Sequence, residues 1–297
     1  MSKENDEISQ MIELSDGRSL GYTEYGDPRG KPLFYFHGRD GSRIEAAFGK
    51  EELTAALGIR FICSDRPGMG LSDFKKGRKL LDWPDDVLEL AIHLGLDKFA
   101  VIGGSGGAPY ALACAYKIPK HLSACAIVSG LGPYDLSKKW VDRRNRNLLF
   151  LARHFPWLYR LLLWLIMGRK INDKSWWEKN YEKLNKMLPE PDQKVVSDLK
   201  VKERMINKTI EAFRQGTGGP AHDFRLYAKP WGFNPNEIPK EMKVLIFHGE
   251  ADSTVPIPIV QAMIEQIPNS ESKIFPNEGH LSVFINKFSE ILNSIIL

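Results

Sequence analysis

The chain has 297 residues, of which 43% are apolar and 26% are charged, and its formal net charge is +4. These values are ordinary for a globular protein made of one large domain, or of a core domain with an insertion. So small a net charge gives no reason to expect nucleic-acid binding. The polar, acidic start of the chain lacks the apolar core of a signal peptide. The apolar run 156–167 has 12 residues and contains an arginine, whereas a membrane span needs about 20 apolar residues.

The three cysteines, Cys63, Cys114 and Cys125, are expected to be buried, reduced thiols. Each lies in an apolar stretch, and their odd number and scattered spacing match neither a disulfide framework nor a zinc site. Because reduced thiols are typical of cytoplasmic proteins, we expect a cytoplasmic location. We also expect no cofactor and no metal, and a monomer or homodimer that acts on a small molecule.

Strand-like and helical segments alternate along most of the chain. Two alternating segments, 11–14 and 19–25, flank Asp16-Gly17, a strong hairpin signal. Near-continuous apolar runs, which suit a parallel sheet covered on both faces, recur at 32–38, 59–64, 99–103, 124–129, 244–248 and 272–275. Helical spacing of apolar residues occurs at 43–57, 80–94, 108–116, 256–267 and 281–297. This alternation predicts an α/β fold with a mostly parallel sheet flanked by helices.

The alternation stops between Tyr134 and Pro220. This stretch carries 19 lysines and arginines against 10 acidic residues, a net charge of +9, whereas the rest of the chain carries 22 against 27. Five of the seven tryptophans also lie there. We therefore predict a core formed by residues 1–133 and 221–297, with a helical domain inserted at 134–220.

A glycine-rich pentapeptide, Gly103-Gly104-Ser105-Gly106-Gly107, follows the apolar strand 99–102 and precedes a helix that starts near Ala108. In this strand-turn-helix setting a serine sits on a sharp, strained turn with its hydroxyl exposed. Positions 103 and 107 need glycine because such a turn leaves no space for side chains. The alternatives are a turn with an incidental serine or a phosphate-binding loop, and no dinucleotide fingerprint accompanies the motif. The setting favours Ser105 as a nucleophile.

A nucleophilic serine needs a base, and the base needs an orienting carboxylate. His280 follows the last predicted strand, at the edge where parallel sheets gather catalytic groups. Asp252 follows the strand 244–247, and the order Ser105, Asp252, His280 is the one expected for this architecture. Glu250 is a candidate acid by residue type, and Asp135, beyond the strand 124–129, is the main rival.

The remaining histidines have simpler interpretations. His248 ends a strand and is expected to point into the interior. The others are expected in a turn, in packing positions or at the surface, namely His37, His93, His121, His154 and His222.

An oxyanion formed during acyl transfer needs two preorganised backbone donors. Gly106, the residue after the nucleophile, is expected to supply one. The second is expected from the loop that follows His37-Gly38, namely the N–H of Arg39. An ion pair between the side chains of Arg39 and Asp40 at the surface is compatible with that backbone role.

Taken together, these motifs resemble the α/β-hydrolase superfamily, in the branch that carries a helical cap. The resemblance rests on His37-Gly38, residues 65–72 (Asp-Arg-Pro-Gly-Met-Gly-Leu-Ser), residues 103–107, residues 249–252 and Gly279-His280, in the family's order. It implies an eight-stranded sheet, a Ser105-Asp252-His280 triad and a structural role for the 65–72 loop. Gly106 departs from the larger residue of many members, and the Gly-rich loop of lipases and carboxylesterases is absent.

Three functions remain open from the sequence. The first is hydrolysis of carboxylic esters with small or medium hydrophobic groups; the second is hydrolysis of an amide or an N-terminal residue by the same triad; the third is ligand sensing. An aminopeptidase would need cap carboxylates such as Glu178, Glu182 or Glu203, against which the positive charge of the cap argues mildly. The apolar residues 155–167 are either a roof over the substrate or a buried packing helix. The positive charge can attract anionic substrates, touch an acidic membrane surface, or simply face solvent.

Overall fold

The structure is a computed structural model that describes residues 9–45, 51–171 and 173–296. The strands in these ranges are β1 (Ser9–Glu13), β2 (Ser19–Gly26), β3 (Lys31–Phe36), β4 (Ile59–Ser64), β5 (Phe99–Gly104), β6 (Leu122–Val128), β7 (Val244–Gly249) and β8 (Ser270–Phe275). They form one sheet with the spatial order β1-β2-β4-β3-β5-β6-β7-β8. β2 is antiparallel to both neighbours, and all other adjacent pairs are parallel. The predicted α/β architecture with a mostly parallel eight-stranded sheet is confirmed.

The helices follow the strands as the alternation predicts. Those of the described ranges are α1 (Glu51–Ala56), α2 (Trp83–His93), α3 (Ala108–Lys117), α4 (Tyr134–Ser137), α5 (Arg143–His154), α6 (Pro156–Ile166), α7 (Lys174–Asn185), α8 (Glu190–Val196), α9 (Leu199–Ala212), α10 (Gly218–Tyr227), α11 (Ile257–Gln266), α12 (Ser282–Asn286) and α13 (Phe288–Ile296). None of them combines the length and the hydropathy that crossing a bilayer requires.

Burial explains why the central strands read as apolar runs. Every residue of β5 and of β7 is buried, because one apolar cluster packs against each face of the sheet. The three cysteines are buried in these layers. The central strands therefore form a rigid frame whose carboxyl ends carry the functional loops.

Three predicted elements differ from the structure. Segment 43–57 starts with a 3₁₀ turn at Arg43–Glu45 rather than with α-helix, and α1 follows at Glu51–Ala56, while residues 46–50 lie outside the described ranges. Segment 281–297 is divided into α12 and α13, and its last residue is likewise outside. β8 is the edge of the sheet rather than a buried strand, with Phe275 as its buried residue.

Between β6 and β7 the described chain is helical and contains no strand. We call residues 134–220 the helical segment. Its predicted start coincides with α4, whereas its predicted end at Pro220 falls inside α10. Whether residues 134–220 form a domain of their own therefore stays a prediction.

A buried carboxylate links α10 to the core. Asp223 is fully buried and accepts hydrogen bonds from Arg66, Arg78, Tyr110 and Tyr227. Burial alone would raise the pKa of this carboxyl, but the two arginines hold the pKa below its usual range. The two cations and the anion thus compensate each other in a region that excludes water.

We predict that Asp223→Ala lowers the free energy of unfolding by about 3–5 kcal/mol, because it leaves two buried guanidinium groups without their carboxylate. Urea denaturation followed by circular dichroism measures this change. Asp135→Ala is the matched control, since Asp135 is exposed and its nearest cation, Lys138, is 3.8 Å away; it should change stability by less than about 0.5 kcal/mol. Equal effects of the two substitutions would contradict the prediction.

Candidate active site

Ser105 sits on the sharp turn between β5 and α3. Its φ of 50° is in the left-handed region, which is strained for a residue with a side chain. A Cβ at position 103 would lie 2.5 Å from the Gly107 carbonyl oxygen, and one at position 107 would lie 2.0 Å from the Phe36 carbonyl oxygen. Both glycines are therefore required by close backbone contacts, as the sequence predicts.

Ser105, His280 and Asp252 form one hydrogen-bonded chain. His280 Nε2 is 2.9 Å from Ser105 Oγ, and His280 Nδ1 is 2.7 Å from Asp252 Oδ2. Because an ionised carboxylate only accepts, Nδ1 carries the proton and Nε2 is free to accept from the serine hydroxyl. The structure brings together the three side chains that the sequence singles out, in the tautomer a general base needs.

Backbone donors fix the orientation of Asp252. Its Oδ1 accepts from the N–H groups of Thr254 and Val255, both at 2.8 Å. This leaves Oδ2 directed at His280. The rival acids are elsewhere: Glu250 is exposed, and Asp135 is an exposed residue of α4.

His248 lies behind Asp252 and points into the interior, as expected. The ring is fully buried, and its Nε2 donates to the Val255 carbonyl at 2.9 Å. Burial lowers the pKa of His248, so this ring is neutral. It packs against the carboxylate without competing for the proton of His280.

The electrostatics of the pair favour a charged carboxylate beside a basic imidazole. Burial would raise the pKa of Asp252, but His280 keeps the pKa below its usual value. Burial would lower the pKa of His280, but the Asp252 carboxylate raises it above its usual value. Asp252 is therefore ionised near neutral pH, and His280 is a stronger base than a free imidazole.

The two predicted oxyanion donors are neighbours. A Cβ at position 106 would lie 2.9 Å from the Arg39 backbone nitrogen and 2.7 Å from the Tyr227 hydroxyl. Within the described ranges, no backbone carbonyl accepts from the Arg39 N–H. The glycine after Ser105 is thus explained by space, since a side chain there would displace the Arg39 N–H and Tyr227. The side chains of Arg39 and Asp40 do form the anticipated ion pair, at 3.2 Å.

Arg66 aims the backbone at this position. Its Nη1 donates to the His37 carbonyl and its Nη2 to the Gly38 carbonyl at 2.9 Å. A trans peptide directs its N–H opposite to its C=O, so holding the Gly38 carbonyl also fixes the direction of the Arg39 N–H. Arg66 belongs to the loop 65–72, which the resemblance assigned a structural role, and this contact explains that role physically.

His37 is a structural member of the same turn. Its Nε2 accepts from the Arg66 N–H at 3.3 Å, so its Nδ1 donates to the Gly38 carbonyl at 3.0 Å. Burial and the nearby Arg66 charge lower the pKa of His37 to about 3. His37 is therefore neutral and unsuited to act as the base.

A cavity of about 310 Å³ opens over Ser105 and His280. Its apolar wall comes from the core and from the helical segment, and includes Leu131, Val141, Leu149, Met205, Phe224, Trp231 and Phe284. In the described ranges the lining contains no residue of 155–167. Of the two roles left open for this stretch, a roof over the substrate or a packing helix, the lining does not support the roof, because α6 packs against α5 and α10. A cavity of this size suits a small or medium apolar group.

A buried ion pair also lines the cavity. Lys208 of α9 donates to Glu45 Oε2 at 2.6 Å, and Glu45 Oε1 accepts from the Tyr35 hydroxyl and the Gly38 N–H. Burial would raise the pKa of Glu45, but Lys208 and the other donors lower it to about 2. This pair was not predicted from the sequence, since its members are distant along the chain and neither belongs to a recognisable motif.

Asp192 is a second residue that sequence reasoning missed. It is fully buried in α8, and its carboxylate accepts from the backbone N–H groups of His280, Leu281 and Ser282 at 2.8–2.9 Å. A Cβ at Gly279 would lie 2.5 Å from this carboxylate. Asp192 therefore caps α12 from another part of the chain and fixes the backbone of His280.

Comparison with known proteins gives a consistent assignment. Residues 31–287 match the family model described as the alpha/beta hydrolase fold. Over 285 residues, 89% of this chain and 88% of the relative, the sequence is 26% identical to a proline iminopeptidase of Clostridium botulinum.

Solved structures agree on the fold. A hydrolase from Pseudomonas aeruginosa aligns with a TM-score of 0.70 at 16% identity, over 97% of this chain and 98% of the other. The esterase RhEst1 from Rhodococcus sp. aligns with a TM-score of 0.69 at 17% identity, over the same shares.

We predict that Asp192→Asn reduces hydrolytic turnover by about 10- to 100-fold, because small misplacements of a group that takes part in a reaction are costly. It should also lower the pKa of His280, since the negative charge of Asp192 contributes to raising that pKa. The acid limb of the pH–rate profile and the titration of the His280 imidazole by NMR measure these effects.

The matched control is Asp198→Asn. Asp198 caps α9 by accepting from Lys200 and Val201 and does not contact His280. The Asp198→Asn substitution should lower the free energy of unfolding by about 1 kcal/mol and leave the pH–rate profile unchanged. If both variants moved the profile alike, Asp192 would have no specific effect on His280.

Proposed function

This chain belongs to the alpha/beta-hydrolase family, and from that premise we propose that it is a serine hydrolase that cleaves carboxylic esters. The observation that carries the proposal is the continuous chain of hydrogen bonds Ser105–His280–Asp252 at the floor of the apolar cavity. We propose Ser105 as nucleophile, His280 as general base and acid, and Asp252 as the orienting carboxylate.

The first half of the reaction forms an acyl-enzyme. His280 Nε2 takes the hydroxyl proton of Ser105 as Oγ attacks the ester carbonyl, and the oxyanion is held by the N–H groups of Arg39 and Gly106. Collapse of this intermediate breaks the bond to the alcohol, which leaves with the proton from His280. Asp252 stabilises the imidazolium that forms in between.

The second half uses water in place of the alcohol. His280 deprotonates a water molecule, which attacks the acyl carbon, and the second oxyanion occupies the same two N–H groups. Its collapse returns the proton to Ser105 Oγ and releases the carboxylic acid. The apolar wall of the cavity supports acyl and alcohol groups of small or medium size.

Cleavage of an N-terminal residue is the second candidate, because the Clostridium botulinum relative is called a proline iminopeptidase. Such a substrate brings an ammonium group that needs a carboxylate in the pocket. Among the described lining residues the carboxylate is Glu45, and Lys208, Tyr35 and Gly38 already occupy it. Glu182 pairs with Lys202 and Glu203 lies near Lys174, and neither lines the cavity. These contacts favour the ester.

We predict that Ser105→Ala lowers kcat for nitrophenyl esters by about 10⁶-fold, because nucleophilic attack is lost while binding remains. A panel of nitrophenyl esters of increasing acyl length, run beside aminoacyl anilides, measures this effect and the substrate class. A fluorophosphonate probe should label the wild type and leave Ser105→Ala unlabelled.

Other results would change the assignment. Preference for anilides would establish the peptidase alternative. If wild type hydrolysed none of the substrates while a small molecule raised its melting temperature, the protein would be a ligand sensor. Ser294→Ala is the control, since that exposed hydroxyl donates to the Glu290 carbonyl in α13 and does not line the cavity.

The pH dependence should report His280. Only the neutral imidazole accepts a proton, so activity is present above its pKa and is lost as pH falls through it. Because the pKa of His280 is raised by Asp252, we predict that the acid limb of kcat/KM lies above pH 6.5, the ordinary value for histidine. Steady-state kinetics across pH measure the limb.

Asp252→Asn tests the origin of that limb. The N–H groups of Thr254 and Val255 would hold the amide oxygen and turn the NH₂ toward His280, which forces the wrong tautomer. We expect a fall in kcat of about 10⁴-fold and a residual acid limb at lower pH. Asp135→Asn is the control and should alter neither; a loss of activity in Asp135→Asn with Asp252→Asn still active would make Asp135 the acid.

A further inference from the structure

The outer surface of helix α6 is apolar where a surface helix is normally polar. Large apolar side chains are exposed along it: Trp157 (68%), Leu158 (37%), Leu161 (44%), Trp164 (47%), Leu165 (48%) and Ile166 (53%). Exposed apolar residues scattered singly are common, whereas a contiguous group indicates an interaction surface.

The spacing of five of these residues makes one continuous face, which does not include Ile166 on the side of Tyr159. Positions 157, 161 and 164 follow each other at helical intervals, and 158 and 165 lie beside them, so all project from the same side. The opposite side is held by Tyr159, whose ring stacks on Phe224 at 4.9 Å between centroids. Helix α6 therefore packs against the protein through Tyr159, and its outward apolar face takes no part in that contact.

The charge along this part of the chain is mostly positive, although Lys170 pairs with Asp173 at 3.3 Å. Residues 143–170 contain no aspartate or glutamate and seven cations, Arg143, Arg144, Arg146, Arg153, Arg160, Arg169 and Lys170. All but Arg153 are exposed. The Arg169 guanidinium is 5.8 Å from the centre of the Trp164 ring, whereas the Arg160 guanidinium lies next to Gly218 of α10, where a Cβ would be 3.6 Å from its Nη2. Cations thus flank the apolar face.

We propose that α6 and its flanking arginines dock this protein onto the surface of an anionic lipid bilayer. Tryptophan and leucine on one face, with arginine and lysine beside them, are the composition of helices that lie in the interface plane. The apolar side chains would enter the headgroup and acyl boundary while the cations contact lipid phosphates. The helix has 11 residues, so it lies on the bilayer and does not span it.

Charge complementarity decides between the possible occupants. A second copy of this chain would place two cationic α6 surfaces against each other in a symmetric contact, which their repulsion opposes. An anionic bilayer compensates the same cations and accepts an apolar face of any shape. The lipid surface is therefore the occupant that both observations favour.

Co-sedimentation of the full chain with phosphatidylcholine vesicles, with and without phosphatidylglycerol, tests the proposal. We expect the bound fraction to rise by about tenfold or more when phosphatidylglycerol is present, and to fall at high salt. Trp157→Ser combined with Leu161→Ser should abolish binding. Arg143→Gln, Arg144→Gln and Arg146→Gln together should weaken it.

The control variants remove an exposed apolar side chain, or exposed cations, from parts of the surface outside α6 and its flanking residues. Ile92→Ser removes an apolar side chain that is 69% exposed on α2, and Lys76→Gln, Lys98→Gln and Lys120→Gln remove three exposed core cations. Both should bind as wild type does. Melting temperatures of all variants verify folding.

Two results would overturn the proposal. One is the absence of specific binding: the wild type stays in the supernatant with anionic vesicles, or the α6 variants bind these vesicles as well as the control variants do. The other is the finding that the wild type is a dimer without lipid and that the α6 substitutions dissociate it. Sedimentation velocity measures this. That result would assign the face to a second copy. Neither readout uses ester hydrolysis, so the proposal stands or falls apart from the proposed activity.

Discussion

The charge cluster around Asp223 is the constraint on which the geometry of the site depends. Arg66 reaches the His37 and Gly38 carbonyls only because Asp223 compensates its charge in a region without water. An unpaired buried guanidinium would be far too costly to keep in this place. The direction of the Arg39 N–H thus follows from an ion pair between residues 157 positions apart in the chain.

Gly38 is held by buried charges on both of its backbone groups. Its carbonyl accepts from Arg66, and its N–H donates to Glu45, whose other oxygen is paired with Lys208. The two pairs end in α10 and α9, which lie between β6 and β7. The turn next to Ser105 is therefore oriented from the helical part of the molecule as well as from the sheet.

Whether a feature of the site could be predicted from the sequence depends on whether its position follows from the residues next to it along the chain. Ser105, Asp252 and His280 follow strands that the apolar pattern reveals, and a parallel sheet brings strand ends together, so their proximity could be predicted. Asp192, Glu45 and Lys208 could not be found, because their partners are set by packing between distant helices. The 3₁₀ turn at Arg43–Glu45, at the start of the predicted helix 43–57, was missed, since apolar periodicity does not reveal such a turn.

The helical segment has an unusual distribution of polarity. Its charged side chains Asp192 and Lys208 are buried against the core, where they meet the backbone around His280 and the carboxylate of Glu45. Its apolar side chains on α6 face outward instead. Both roles that the sequence left open for residues 155–167, a roof over the pocket or a buried packing helix, remove apolar surface from water. Here the inner face is already occupied by ion pairs and by α5 and α9, so α6 has no interior left to enter. Its exposed face then costs free energy in water unless another apolar phase covers it, and this cost is the physical reason to seek a partner outside the protein.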